Sequence, residues 1–358
     1  MINYMNKLLT IVIPAYNMKD LLPRCLDSLI SPIVMEDVEV LIINDGSKDN
    51  TLEIAQSYEK RFPGYFKAID KQNGNYGSVM NKGLEIAQGK YFKTLDADDW
   101  YDTNNYTKFV EELKKTDADI VFCERCDYFE EDNRIVRRSF DNDVITNKDL
   151  QVSSQFWTND SILLNASVTS TAYKTNILLE SKMKWDEGVF YTDTEYNYIP
   201  LKKVNSVRFI PLPVYVYLIG REGQSMNINM IRKNFHSTDV VANRIVDELI
   251  NVTDKKSEVF SLQKNYLFLI LTMFYNSLMY SGLNYKKEID YLDKKLKNDK
   301  DIYYEIANKI KWHGISVIGV YRKGKIPFLL LYTLIITNRL LKSIFQFISL
   351  RKKNSHTV

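Results

Sequence analysis

Leu8-Leu9-Thr10-Ile11-Val12-Ile13 is an almost unbroken apolar, β-branched run, and Pro14-Ala15-Tyr16-Asn17 closes it. A run without polar alternation fits a strand buried on both faces, as in a parallel sheet. Open sheets of that kind bind ligands beyond the carboxyl ends of their strands, so the residues after each run carry the information. Val38 to Ile43 is the second run and ends in Asn44-Asp45-Gly46-Ser47. Phe66 to Ile69, Tyr91 to Leu95 and Ile120 to Phe122 are three more. Helices are predicted between them: Asp20 to Ile30, Asn50 to about Arg61, about Ser78 to Ala87, and one marked by Phe109, Val110 and Leu113. Asn50 with Glu53 reads as a capping box. Asn73-Gly74-Asn75-Tyr76-Gly77 reads as a turn of residues that tolerate positive φ, and Gly89 as a helix stop. Strand–helix alternation of this kind predicts an α/β fold with a mostly parallel open sheet.

The fourth run ends in Asp96-Ala97-Asp98-Asp99-Trp100. Carboxylates this close raise one another's pKa unless a cation neutralises them. Mg²⁺ and Mn²⁺ take oxygen ligands and often bridge to phosphate. The plainer alternative is a strand-to-helix turn in which one Asp caps the helix before Thr103-Asn104. Asp45 and Asp96 end different strands, so the sheet presents two acidic loops on one rim. No G-x-G-x-x-G follows the first strand and no G-x-x-x-x-G-K-[ST] occurs, which removes the main support for dinucleotide and P-loop sites.

With 358 residues, 45% hydrophobic and 26% charged, the chain is globular and suits one large domain plus an appended region. Met1 to Lys7 is short and polar, so no signal peptide is expected. Cys25, Cys123 and Cys126 make no disulfide framework, and Cys123-Glu124-Arg125-Cys126 lacks the second pair a zinc site needs. A cytoplasmic protein is expected. The net charge of +3 is unevenly placed: residues 321–358 hold eight Lys and Arg and no acid, leaving −5 for the first 320. The basic excess is thus a C-terminal property, and nucleic acid is not the expected partner.

Asp127 to Asn142 reads as a solvated hairpin, and Val207 to Tyr217 as a strand broken by Pro211 and Pro213. The chain changes character near residue 230. Residues 1–230 are expected to form the ligand-binding domain, and 231–358 a helical region that includes helices over Phe235 to Val246 and Val259 to Tyr280. Ile326 to Thr337 is a clean apolar core of 12 residues, short of the ~20 that span a bilayer. Flanking Lys and Arg suit a helix lying on an anionic membrane surface.

Four motifs, in this order and spacing, resemble family 2 glycosyltransferases of the GT-A fold: Thr10-Ile-Val-Ile-Pro-Ala-Tyr-Asn17, Asn44-Asp-Gly-Ser47, Asn73-Gly-Asn-Tyr-Gly77 and Leu95-Asp-Ala-Asp-Asp99. The resemblance is strong over residues 8 to 125 and looser over 170 to 225. It is of the bacterial cell-surface polysaccharide type, and it implies a UDP-sugar or other nucleotide-sugar donor, Mn²⁺ or Mg²⁺, and inversion at the sugar. By that resemblance Pro14, Ala15, Tyr16 and Asp45 hold the base, Asp96 lies near the ribose and Asp98 reaches the metal on the diphosphate. Asp99 extends the motif toward the metal or acceptor side. The family's Glu-Asp pair, whose Asp is the catalytic base, matches Thr192-Asp193. Thr192 departs from it, and Glu195 and Glu187 stand behind Asp193 as candidates. Arg221 matches a loop that closes over the donor phosphates.

The expected function is therefore transfer of a hexose-type sugar to a hydroxyl of a cell-surface glycan or lipid-linked precursor. The enzyme is expected to be peripheral at the inner face of the cell membrane. The processive Gln-x-x-Arg-Trp motif is absent, so one sugar per event is expected. The alternative is a non-catalytic carbohydrate-binding or scaffold protein on the same fold, which Thr192 keeps open and the intact acidic cluster counts against. A sugar-nucleotide pyrophosphorylase would carry a basic, glycine-rich loop where Pro14-Ala15-Tyr16-Asn17 stands.

Overall fold

The computed structural model describes residues 6–153, 156, 159–221, 230, 233–281, 286–309 and 316–322. The expected basic helix over Ile326 to Leu350 lies outside them. The apolar runs form β1 (Lys7–Ala15), β2 (Val38–Asn44), β3 (Phe66–Asp70) and β4 (Gly89–Thr94). These pair in parallel in the order β3-β2-β1-β4. β1 and β2 hold nearly continuous apolar side chains because both sheet faces are covered. Each fully buried Leu, Ile or Val there contributes roughly 1.5–3 kcal/mol relative to exposure.

Beyond β4 the sheet becomes mixed and continues β4-β9-β6-β10-β5. β9 (Thr171–Lys174) runs antiparallel to both β4 and β6 (Ile120–Phe129), and β10 (Ser206–Ile219) runs parallel to β6. The two prolines do not break β10; the register shifts between Ile210, Pro213 and Tyr215, where a bulge dispenses with their missing N–H groups. Two residues, β5 (Trp100–Tyr101), add an antiparallel pair to β10 that the sequence does not announce. β7 (Arg134–Arg138) and β8 (Asp149–Gln151) flank β6 and β10. The β6–β7 hairpin is less solvated than expected, since Arg137 and Arg138 pair with the buried acids Glu124 and Asp127.

Helices cover both faces. α1 (Leu22–Asp27), α2 (Thr51–Arg61) and α4 (Thr103–Leu113) pack on one side through Leu22, Leu26, Ala55, Phe109 and Val110. α3 (Asn75–Ile86) covers the other, followed by α5 (Asp160–Asn165), α6 (Thr175–Glu180) and α7 (Asp193–Tyr198). That second core runs on into α8 (Phe235–Ile250) and α9 (Glu258–Ser281) through Val241, Ile245, Leu267 and Phe274. α10 (Lys286–Leu296), α11 (Lys300–Lys309) and α12 (Val317–Arg322) complete it. No helix among the described residues is long and apolar enough to cross a membrane.

Three local readings are corrected. Asn50 sits at the N-cap of α2 but makes no side-chain cap. Asp49 does that work, accepting from the Thr51 N–H at 3.1 Å and the Thr51 hydroxyl at 2.5 Å. α3 starts at Asn75, inside the expected turn. Gly89 opens β4 rather than ending a helix, and a Cβ there would lie 2.3 Å from the Thr10 nitrogen.

Candidate active site

The acidic run splits into one structural carboxylate and two at the rim. Leu95 N–H bonds Val12 O at 3.0 Å, which carries the chain off β4 and over the end of β1. Asp99 is buried, and its oxygens accept from the Tyr215 hydroxyl at 2.5 Å and the Leu218 N–H at 2.8 Å. The same hydroxyl accepts the Asp96 N–H at 3.3 Å, so Tyr215 pins both ends of the loop to β10. Asp99 therefore does not extend the motif toward a metal or an acceptor. The helix cap is Asp102, which accepts the Asn105 N–H at 2.8 Å. Asp96 and Asp98 remain half-buried at the rim. Burial first, then Asp98 and Asp193, push the Asp96 carboxyl up to about 8. Asp98 is engaged by Arg221, with Nη2 at 2.7 Å and Nε at 3.1 Å from one oxygen. α1 supports the loop from beneath: Arg24 donates to Asp98 O at 3.0 Å and stacks 3.8 Å above Trp100.

The expected base-holding residues meet at the ends of β1 and β2. The Asp45 N–H bonds Ala15 O at 2.9 Å, and Asn17 and Ser47 tie the two loops through the Asn17 N–H at 2.9 Å. Pro14 is half-buried and Tyr16 leaves 43% of its surface open, so its ring is available for stacking. Asp45 is buried and paired with Lys71 Nζ at 2.8 Å; it also accepts the Gly74 N–H at 3.0 Å. Gly46 turns this loop at φ +71°, with Asn73 N only 3.0 Å from where a Cβ would stand. Lys71 was not singled out by sequence; its only signal is a cation just past the end of β3.

Asp193 begins α7. Burial raises its carboxyl, against the N–H groups of Thr194 and its own backbone. Its charge helps to raise Asp96 beyond β4, Tyr76 on α3 and Tyr266 on α9, so groups from both halves of the chain lie near it. Glu195 and Glu187 are engaged elsewhere. Glu195 is fully buried, accepts the Asp186 N–H at 2.9 Å and pairs with Arg244 at 2.8 Å. Burial still pushes it up to about 8. Glu187 accepts from Asn81 at 2.8 Å in an exposed position. Thr192 is buried, and its hydroxyl has no hydrogen-bond partner among the described residues. No described group of three or more His, Cys, Asp or Glu is arranged to enclose a metal ion.

With this geometry established, similarity to known proteins is informative. Residues 10–175 match the family model for Glycosyl transferase family 2. The uncharacterized glycosyltransferase EpsJ of Bacillus subtilis (strain 168) is 34% identical over 116 residues, 32% of this chain and 33% of EpsJ. The uncharacterized glycosyltransferase YibD of Escherichia coli (strain K12) is 27% identical over 248 residues, 66% of this chain and 68% of YibD. The chain thus spans about a third of EpsJ but most of YibD. S. aureus TarS 1-349, solved in complex with UDP-GlcNAc, superposes with a TM-score of 0.58 at 16% identity, covering 88% of this chain and 92% of that one. It shares the GT-A-like α/β fold expected from the strand order and the motif loops. Over residues 10–175, a little under half of its length, the chain is thus similar to glycosyl transferase family 2.

Proposed function

We propose that this chain transfers a hexose-type sugar from a nucleotide-diphosphate donor to a hydroxyl of a cell-surface glycan or lipid-linked precursor, with inversion. The observation that carries the reading is that Asp193, at the start of α7, is near enough to Asp96 on the strand rim for its charge to raise that carboxyl. The UDP-GlcNAc complex of the similarly folded TarS supports a UDP-sugar donor. The base and ribose would lie along Pro14, Ala15, Tyr16, Asp45 and Asp96.

The donor set fits a divalent cation. Two rim carboxylates with a guanidinium already drawn to one of them match ions that bind through one or two carboxylates and complete their shell with phosphate and water. Asp98 would hold Mn²⁺ or Mg²⁺, with Asp96 behind it. Such an ion supplies positive charge against the diphosphate as the glycosidic bond breaks. Arg221 leaves Asp98 and turns to the phosphates. Asp193 takes the proton from the acceptor hydroxyl as its oxygen attacks the anomeric carbon, a task its raised carboxyl suits. The basic segment after residue 321 supports peripheral attachment at the inner face of the membrane.

A panel of UDP-sugars with Mn²⁺ and glycan or lipid-linked acceptors tests this. Asp98→Ala is expected to abolish transfer and weaken Mn²⁺-dependent UDP binding. Asp193→Asn is expected to lower kcat by roughly 100- to 10,000-fold while UDP binding persists. Full activity in Asp193→Asn would remove it as the base. UDP binding without turnover in the native protein would favour the non-catalytic reading that Thr192 keeps open.

A further inference from the structure

Glu195 is a buried carboxylate two residues beyond Asp193, in the first turn of α7. A buried charge is costly unless paired and hydrogen-bonded. Its partner comes from α8, beyond the α/β half of the chain. Arg244 Nη1 lies 2.8 Å from Glu195 Oε1 and 3.0 Å from Asp186 Oδ1, and Nη2 donates to Lys184 O at 2.5 Å. One planar guanidinium therefore ties α8, α7 and the 184–186 segment together, a three-way contact that a lysine's single ammonium reproduces poorly. The 184–186 segment is held in turn by α3. Asn81 donates to Trp185 O and accepts the Trp185 N–H, both at 2.9 Å. The Gly188 N–H bonds Gly74 O at 3.0 Å, and Gly74 N–H is the group bound by Asp45. Hydrogen bonds, joined by the backbone of residues 184–188, thus link Arg244 and the start of α7 to Gly74 beside Asp45.

We propose that Arg244 is a positioning residue for the transfer reaction: through Glu195 and the 184–186 segment it fixes the start of α7, and so sets Asp193 against Asp96. This rests on Asp193 being the base. It gives the helical region a part in the chemistry, since the guanidinium that orients the base is carried by α8.

The test compares the full chain with Arg244→Met, Arg244→Lys, Glu195→Gln and Arg244→Met/Glu195→Gln. Hydrogen exchange read by mass spectrometry is expected to quicken in Arg244→Met at amides 192–196, with amides 44–46 and 94–99 unchanged. With UDP-sugar and acceptor, kcat should fall by roughly 100-fold in Arg244→Met, as expected for a misplaced catalytic group. The donor KM should stay within about twofold. Arg244→Lys should fall between the two. The double variant should lose no more than Arg244→Met alone, because the pair acts as a unit. Unchanged exchange at 192–196, or an equal rise in all three stretches, would overturn the proposal. So would a raised donor KM with kcat intact. If the native protein transfers no sugar, the reading of Asp193 falls, while the exchange measurement still decides whether Arg244 fixes α7. Should Arg244→Met fail to fold, Arg244→Lys carries both readouts.

Discussion

The donor-side loops and the segment that carries Asp193 are built differently. On the donor side, Asp45 is fixed by Lys71 and Gly74, 26 and 29 residues away, and by the neighbouring loop of Ala15. Every one of these groups stands at or just beyond a strand end of the parallel half-sheet. On the base side, Asp193 belongs to a helix of six residues whose Glu195 is held by Arg244, 49 residues on, and whose Tyr196 hydroxyl reaches Phe92 O, 104 residues back. The donor side is a product of strand register. The base side is an assembly of short pieces held by side chains, and its geometry is correspondingly easier to disturb.

That contrast is open to direct test. The largest effect should be that of pH on turnover. A base must be deprotonated, and burial holds Asp193 above its ordinary value. The acid limb of kcat should therefore lie above about 4 and fall tenfold per pH unit below it. A limb at or below that value would mean the base side is more open to water than it looks. Next is Gly77→Ala. A Cβ there would lie 2.0 Å from Asp186 O, so α3 and the 185–188 segment must separate. A loss of about 1–3 kcal/mol by denaturant unfolding is expected, with kcat falling more than donor affinity.

Tyr215→Phe removes the hydroxyl that Asp99 and the Asp96 N–H share. It should cost about 1–3 kcal/mol and weaken Mn²⁺-dependent UDP binding, the opposite signature to Gly77→Ala. The smallest effect should be on the pH dependence of stability without ligand. Asp96 is pushed up to about 8 in the folded state. The unfolded chain releases that proton near 4, so stability should decline as pH rises from about 4 toward 8. Asp96→Asn should flatten the decline, and UDP with Mn²⁺ should reverse it, as measured by melting temperature.

The donor side was legible in the sequence for a physical reason. Unbroken β-branched runs mark strands buried on both faces, and the rim lies where they stop. That places Asp45, Asp96 and Asp98 without knowledge of the fold. The roles within the acidic run were not legible, because Asp99 differs from Asp98 only through Tyr215, 116 residues away on β10. β5 was missed because two residues carry no periodicity. The capping box at Asn50 does not form; Asp49, one residue earlier, accepts the Thr51 N–H instead. Arg244 gave no signal at all: a single arginine on an amphipathic helix looks like part of a solvated face until Glu195 is seen beneath it.

The Asp98–Arg221 pair bears on how a nucleotide first arrives. An uncompensated row of aspartates would repel an incoming diphosphate and slow its approach. With the guanidinium lying 2.7 Å from Asp98, the rim meets the anion with much of its negative field cancelled. Encounter rates with the donor should then depend only weakly on ionic strength.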